Sequence, residues 1–169
     1  AAVENPAPVI FADIVTDTRR ITPGALFVAL QGERFNGDDF AVEAVNKGAA
    51  GVLVSAGCAA KKLTGLTCPV LHVADPLRAY QALAHAWRMK FSLPVVAITG
   101  SNGKTTTKDL TASVLGAAWP VLKTEANFNN EVGLPLTLLR LTEKHRAAVV
   151  EIGMRGLGQI AALAPIAAP

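Results

Sequence analysis

Cysteine is scarce in this chain: Cys58 and Cys68 are the only two among 169 residues, they lack CxxC spacing, and no histidine cluster stands near them. That pattern supports neither a metal centre nor a redox pair, and both read as small, partly buried thiols. Aromatic residues make up only 5% of the sequence, which leaves few platforms for stacking nucleic-acid bases. Charge is also low. The formal net charge is +3, no block of like charges occurs, and Arg19-Arg20 and Lys61-Lys62 are isolated pairs, so nucleic acid is not the expected partner. No apolar run reaches the roughly 18 to 20 residues that span a bilayer, and the first residues lack the basic and apolar regions of a signal peptide. The expectation is a soluble, cytoplasmic protein without membrane insertion. A hydrophobic fraction of 51% is ample for a packed core.

What is present is concentrated in VVAITGSNGKTTT, residues 95–107. A short apolar run with the character of a buried strand leads into a glycine-rich turn and then into a plausible helix start. Glycines at 100 and 103 let backbone N–H groups approach phosphate oxygens. Lys104 supplies a point charge, and the Thr105 hydroxyl can reach magnesium. The generic phosphate loop has a further glycine where this chain has Ile98, so the loop is a variant shaped by Gly100 and Asn102. The competing reading is an ordinary glycine turn with a chance lysine.

The chain divides near residues 92–94, giving domains 1–92 and 93–169. In the first, apolar runs at 26–30, 51–55 and 70–73 alternate with helices expected at about 39–47 and 76–91, which reads as a small α/β domain. Asp75 and Pro76 make a helix start, and His85 reads as a packing or surface histidine. In the second, the order is strand 94–98, phosphate loop, helix to about 118, an asparagine-rich loop, an apolar segment 134–141, strand 147–152, and a helix over 157–168 that Pro165 is expected to disturb. Alternating strands and helices imply a parallel sheet with its ligand at the carboxyl ends of the strands. The fold class is therefore α/β: a small N-terminal α/β domain followed by part of a P-loop parallel-sheet ATPase-like domain. Glu151 closes the apolar run AAVV at such an end, where a magnesium-binding carboxylate belongs in a phosphate-loop protein. The alternative is a solvated charge where a strand stops.

The segments TGSNGKTTTKDL, TEANFNNEVGLPLTLLRL and VVEIGMRGLGQIA, with DTRRITPGALFVALQGERFNGDDFAVEAVNKGA in the first half, resemble the Mur ligase family over nearly the whole chain. The resemblance implies a first domain that holds the uridine end of the substrate, a central ATP-binding domain, and a third that closes over the site. This chain then corresponds to the first domain and the first part of the second, so the isolated chain is expected not to ligate. The resemblance implies that Gly100, Ser101, Asn102, Gly103, Lys104, Thr105 and Thr106 wrap the ATP phosphates, with Lys104 as the catalytic contact and Thr105 and Glu151 holding Mg2+. It further implies that Thr124, Asn127, Asn129 and Asn130 line the substrate side. Turn chemistry alone would also account for those asparagines. In the first half, Asp17, Thr18 and Arg19 resemble the family's Asp-Ser-Arg element. Gly32, Arg34 and Asn36 fall in its uridine-side loop, within which Asp38 stands where relatives often carry histidine.

NFNNEVGLPLTLLRL resembles most the family member that joins D-alanyl-D-alanine to UDP-N-acetylmuramoyl-tripeptide in peptidoglycan synthesis, through an acyl phosphate made from ATP. The other readings are a different Mur or folylpolyglutamate-type ligase, a small-molecule P-loop kinase, and a binding module without turnover.

Overall fold

Residues 2–33 and 35–169 are described by the structure, a computed structural model. Contacts within the chain separate two units, Ala1–Ala79 and Tyr80–Pro169.

The first unit is built on a five-stranded sheet. Its strands are β1 (Ala2–Glu4), β2 (Ile14–Val15), β3 (Leu26–Val28), β4 (Gly51–Ser55) and β5 (Val70–Val73), in the order β1-β5-β4-β3-β2. β2 to β5 pair in parallel and β1 joins the edge antiparallel, with Ala2 opposite His72. Leu26, Phe27 and Val28 are all buried, as expected of a strand covered on both faces. The apolar run expected to continue to residue 30 leaves the sheet after Ala29, whose N–H still donates to the Leu53 carbonyl at 2.8 Å, and the Leu30 N–H turns back onto the Val28 carbonyl at 3.0 Å. The helix expected from residue 39 opens as a tight 3-10 turn, Gly37–Phe40, before α1 (Ala41–Asn46) begins. Ala41 and Ala44 of α1 pack with Phe27, Val52, Val54, Leu63 and Val70 to form the core.

The helix α2 (Pro76–Arg88) starts where Asp75 and Pro76 placed it, with the Asp75 carboxylate accepting the Arg78 N–H at 3.0 Å. The division between units falls inside α2, ahead of the expected break at 92/93. The cause is tertiary. Gln81 donates to the Glu131 carbonyl at 3.0 Å, and Trp87 donates to the Leu141 carbonyl at 3.0 Å. Arg88, 8% exposed, donates to the carbonyls of Phe91, Leu93, Ala167 and Ala168. Burial pushes the Arg88 pKa down, and those four acceptors are what keep its charge tolerable there. His85 packs in the same way, with Nδ1 3.3 Å from the Ile166 carbonyl.

The second unit contains β6 (Val95–Ile98), α3 (Lys104–Gly116), β7 (Val121–Lys123), α4 (Gly133–Leu139), β8 (Ala147–Glu151) and α5 (Gln159–Ala167). Its sheet runs β6-β8-β7, all parallel, with Ile98 opposite Glu151. The central strand β8 is buried from end to end, which is why its sequence is continuously apolar until Glu151. Leu134, Leu138, Leu141, Val150, Ile152, Leu163 and Ile166 form the core. Pro135 is tolerated because it lies in the first turn of α4, where its missing N–H has no helical partner to lose. Pro165 does not break α5 as expected; the helix runs through it to Ala167. Pro165 and Ala161 both lie on the exposed face, so the carbonyl that loses its intrahelical donor is open to water.

Candidate functional site

The phosphate loop joins β6 to α3 and depends on backbone conformations that side chains oppose. Gly100 has φ 145° and Gly103, the residue before α3, has φ 76°. A Cβ at Gly103 would meet nothing within 4 Å, so the demand there is conformational and not one of space. No side chain caps α3 among the described residues, and the first amides of the helix stay available to an anion. Lys104 curls over the loop, its Nζ donating to the Gly100 carbonyl at 2.6 Å and lying 3.4 Å from the Ser101 carbonyl. Ser101 and Asn102 are exposed on the loop, and Thr106 lies on the exposed first turn of α3.

Glu151 ends β8 at 3% exposure, so the solvated-charge alternative fails for it. Its N–H and its two carboxylate oxygens are held by three different residues. The Thr105 hydroxyl donates to Oε2 at 2.9 Å, and the Asn129 amide donates to Oε1 at 2.7 Å. The Glu151 N–H donates to the hydroxyl of Thr124, itself wholly buried, at 2.9 Å. Asn129 is locked in turn, because its carbonyl accepts the Gly153 N–H at 2.8 Å and a Cβ at Gly153 would stand 2.8 Å from its side-chain oxygen. Asn130 caps α4, its side-chain oxygen accepting the N–H groups of Val132 at 3.2 Å and Gly133 at 2.8 Å. Asn127 lies exposed in the same loop. Thr124 therefore holds the backbone of Glu151 from a wholly buried position. That arrangement requires the fold, since nothing in the TEANFNN segment announces it.

A hydroxyl and a carboxylate oxygen are the hard donors magnesium takes. The hydrogen bond between them, 2.9 Å long, sets the two donors side by side. No cluster of three or more His, Cys, Asp or Glu occurs among the described residues, so phosphate and water oxygens would complete any such site. Beside it lies a cavity of ≈ 190 Å³ lined by Lys104, Asn129, Asn130, Gly153, Arg155 and Gln159, among others.

In the first unit Asp17 opens the 3-10 turn Thr18–Arg20 by accepting the Arg19 N–H at 2.9 Å. The Arg19 guanidinium clasps the same carboxylate, with Nη2 2.6 Å from Oδ2, and these bonds hold the Asp17 pKa down to about 2. Thr18 donates to Glu43 at 2.9 Å. The loop from Gly32 to Phe40 is closed by the Gly32 N–H on the Phe35 carbonyl at 3.0 Å and by Asn36, whose side chain accepts the Asp38 N–H at 3.0 Å. Arg34, expected on this loop, lies outside the described residues. Asp38 is turned inward, which explains how the chain carries an acid there: both its oxygens bond Ser55. Sequence reading missed Ser55, a lone serine at a strand end. Burial pushes the thiols of Cys58 and Cys68 up, in keeping with unreactive side chains.

Two family models match the chain: Mur ligase family, catalytic domain, over residues 11–88, and Mur ligase middle domain over residues 98–169. The UDP-N-acetylmuramoyl-tripeptide--D-alanyl-D-alanine ligase of Synechocystis is 48% identical over 159 residues, covering 93% of this chain and 34% of the relative. The ligase of the same name from Escherichia coli is 45% identical over 148 residues, covering 88% of this chain and 31% of the relative. Among solved structures, MurF from Acinetobacter baumannii superposes with a TM-score of 0.85 at 35% identity, covering 93% of this chain and 34% of that one. MurF ligase from Thermotoga maritima in complex with ADP superposes with a TM-score of 0.80 at 34% identity, covering 92% and 35%. The chain thus spans about a third of the length of the curated relatives it matches.

Proposed function

The chain belongs to the Mur ligase family, and from that premise we propose that it supplies the uridine-side unit and the beginning of the ATP-binding unit of a ligase that joins D-alanyl-D-alanine to UDP-N-acetylmuramoyl-tripeptide. The observation that carries the reading is the convergence on Glu151 of Thr105 from the phosphate loop and Asn129 from the NFNN segment. It couples the nucleotide loop to the segment most like that ligase. A simple kinase reading leaves the second contact without a purpose.

In the proposed reaction the terminal carboxylate of the peptide attacks the γ-phosphorus of ATP and ADP leaves. The amine of D-alanyl-D-alanine then attacks the acyl phosphate, and the amide forms as phosphate departs. Lys104 and the N–H groups opening α3 neutralise the charge that builds on the moving phosphoryl group. Thr105 and Glu151 would hold Mg2+, which when bound supplies further charge neutralisation at the phosphates. Asn129 and Thr124 keep Glu151 in place. The first unit, through Asp17, Thr18, Arg19 and the loop containing Gly32, Arg34 and Asn36, would hold the uridine end and so align the distant carboxylate. Among the described residues no helix is long and apolar enough to cross a membrane, which suits our assignment to the cytoplasm.

The test is phosphate release by a full-length enzyme carrying this sequence, with each substrate omitted in turn. Turnover should require ATP, UDP-N-acetylmuramoyl-tripeptide and D-alanyl-D-alanine together. Phosphorylation of a hydroxyl acceptor without the dipeptide would favour the kinase reading. The 169-residue chain alone should bind the UDP-linked ligand in calorimetric titration and form no amide.

A further inference from the structure

Asp38 is an acidic side chain at 1% exposure that makes no ion pair among the described residues. Ser55 supplies a donor to each of its oxygens: Oδ1 accepts the Ser55 N–H at 3.1 Å and Oδ2 accepts the Ser55 hydroxyl at 2.6 Å, with the Cys58 thiol beside the same carboxylate. Ser55 is the last residue of β4, at the carboxyl end of the parallel strands where open α/β sheets carry ligands. The stretch beside Asp38 is fixed as well. The Gly37 N–H donates to the Leu30 carbonyl at 3.0 Å, and a Cβ on Gly37 would stand 2.3 Å from that oxygen, so the backbones touch with no room for a side chain. The segments flanking this pinned stretch expose Phe35 at 58% and Phe40 at 37%, with the rings edge to face at 6.5 Å. A rigid anchor thus holds an exposed aromatic edge at the ligand end of the sheet.

We infer that Asp38 is a positioning residue: its carboxylate latches residues 32–40 onto the end of β4 and so presets the surface that receives the uridine end of the substrate. This inference rests on the substrate reading proposed above. A carboxylate suits the task because it brings acceptors for both Ser55 donors. Alanine brings none and leaves the half-buried N–H and hydroxyl of Ser55 without these acceptors. Asparagine keeps an oxygen for the Ser55 N–H, and its NH2 can donate to the Ser55 oxygen.

The experiment compares the 169-residue chain with its Asp38→Ala, Asp38→Asn and Ser55→Ala variants. It combines calorimetric titration with UDP-N-acetylmuramoyl-peptide, amide hydrogen exchange across residues 32–40 and Ser55, and thermal unfolding. Asp38→Ala should raise Kd at least about tenfold and speed exchange at Gly37, Asp38 and Ser55, while Asp38→Asn stays within about threefold of the parent. A folded Asp38→Ala chain with parental affinity and exchange overturns the inference. Should Asp38→Ala not fold, Ser55→Ala, which keeps the amide bond and loses the hydroxyl, decides: a smaller rise in Kd with faster loop exchange supports the latch, and no change in either overturns it. If the parent chain binds no UDP-linked ligand, the substrate reading fails, and the exchange data alone judge whether the latch exists.

Discussion

Gly103 in the second unit and Gly37 in the first are required for opposite reasons. Gly103 sits in open space with a left-handed backbone, and any side chain would be welcome sterically and resisted conformationally. Gly37 has a backbone that other residues adopt, yet a Cβ there would collide with the main chain of Ala29 and Leu30. The phosphate loop is thus a local device, specified by consecutive residues whose conformation aims N–H groups outward. The loop over residues 32–40 is a tertiary device, specified by what lies beneath it. Lys104 of the first is held by carbonyls of the loop that carries the motif. Asp38 of the second is held by a residue far away in sequence, Ser55.

The sharpest way to break that contrast is Lys104→Ala. If the phosphate loop is local, with its lysine bonded among the described residues to the loop's own carbonyls, its loss should leave folding nearly unchanged. Turnover of the full-length enzyme should fall at least about 10²-fold, the scale seen when a charge-stabilising donor is removed. Measured together, thermal unfolding and turnover decide the point: a large loss of stability would show that Lys104 also holds the fold, and unchanged turnover would remove it from the mechanism.

The glycine pair tests the contrast directly through stability. Gly37→Ala must displace backbone and should cost about 3 kcal/mol or more, whereas Gly103→Ala should cost about 1–2 kcal/mol, the strain of a left-handed alanine. Denaturant unfolding of the two variants provides the comparison. Equal costs would mean that the collision at Gly37 relaxes and the first loop is as pliable as the second.

The same division explains what could be read from the sequence. The phosphate loop, β8 with Glu151 at its tip, and the α/β alternation are encoded in neighbouring residues, through apolar runs and glycine spacing. Three features are not. Thr124 is wholly buried beneath Glu151, Asp38 finds Ser55 across the sheet, and the second half of α2 belongs to the second unit because Arg88 meets the end of α5. Each depends on a partner many residues away, and no periodicity announces a partner. The short strand β7 escaped because three residues, flanked by Pro120 and Thr124, carry too little pattern. Pro165 misled for the reverse reason: a strong local signal was overridden by packing of Leu163 and Ile166 in the core.

The smallest effect concerns Asp17, which stands between the two extremes because its partner Arg19 is local but its turn is tied to α1 through the Thr18–Glu43 bond. The Arg19 guanidinium and N–H hold the Asp17 pKa near 2, below its ordinary value of 3.8. A carboxylate whose pKa is lowered on folding stabilises the folded chain fully above its unfolded pKa, and that contribution is lost as pH falls through the folded pKa. The stabilisation from this pair should thus be intact at neutral pH, fade between about pH 4 and pH 2, and be absent below that. Since Arg19 is mostly exposed, the effect is small and salt should weaken it. Thermal unfolding of the chain and of Asp17→Asn, followed from pH 7 to pH 2 at low and high salt, checks this: the two curves should differ slightly at neutral pH and converge in acid. A difference that persists undiminished down to pH 2 would mean that Asp17 acts through the geometry of its turn and not through its charge.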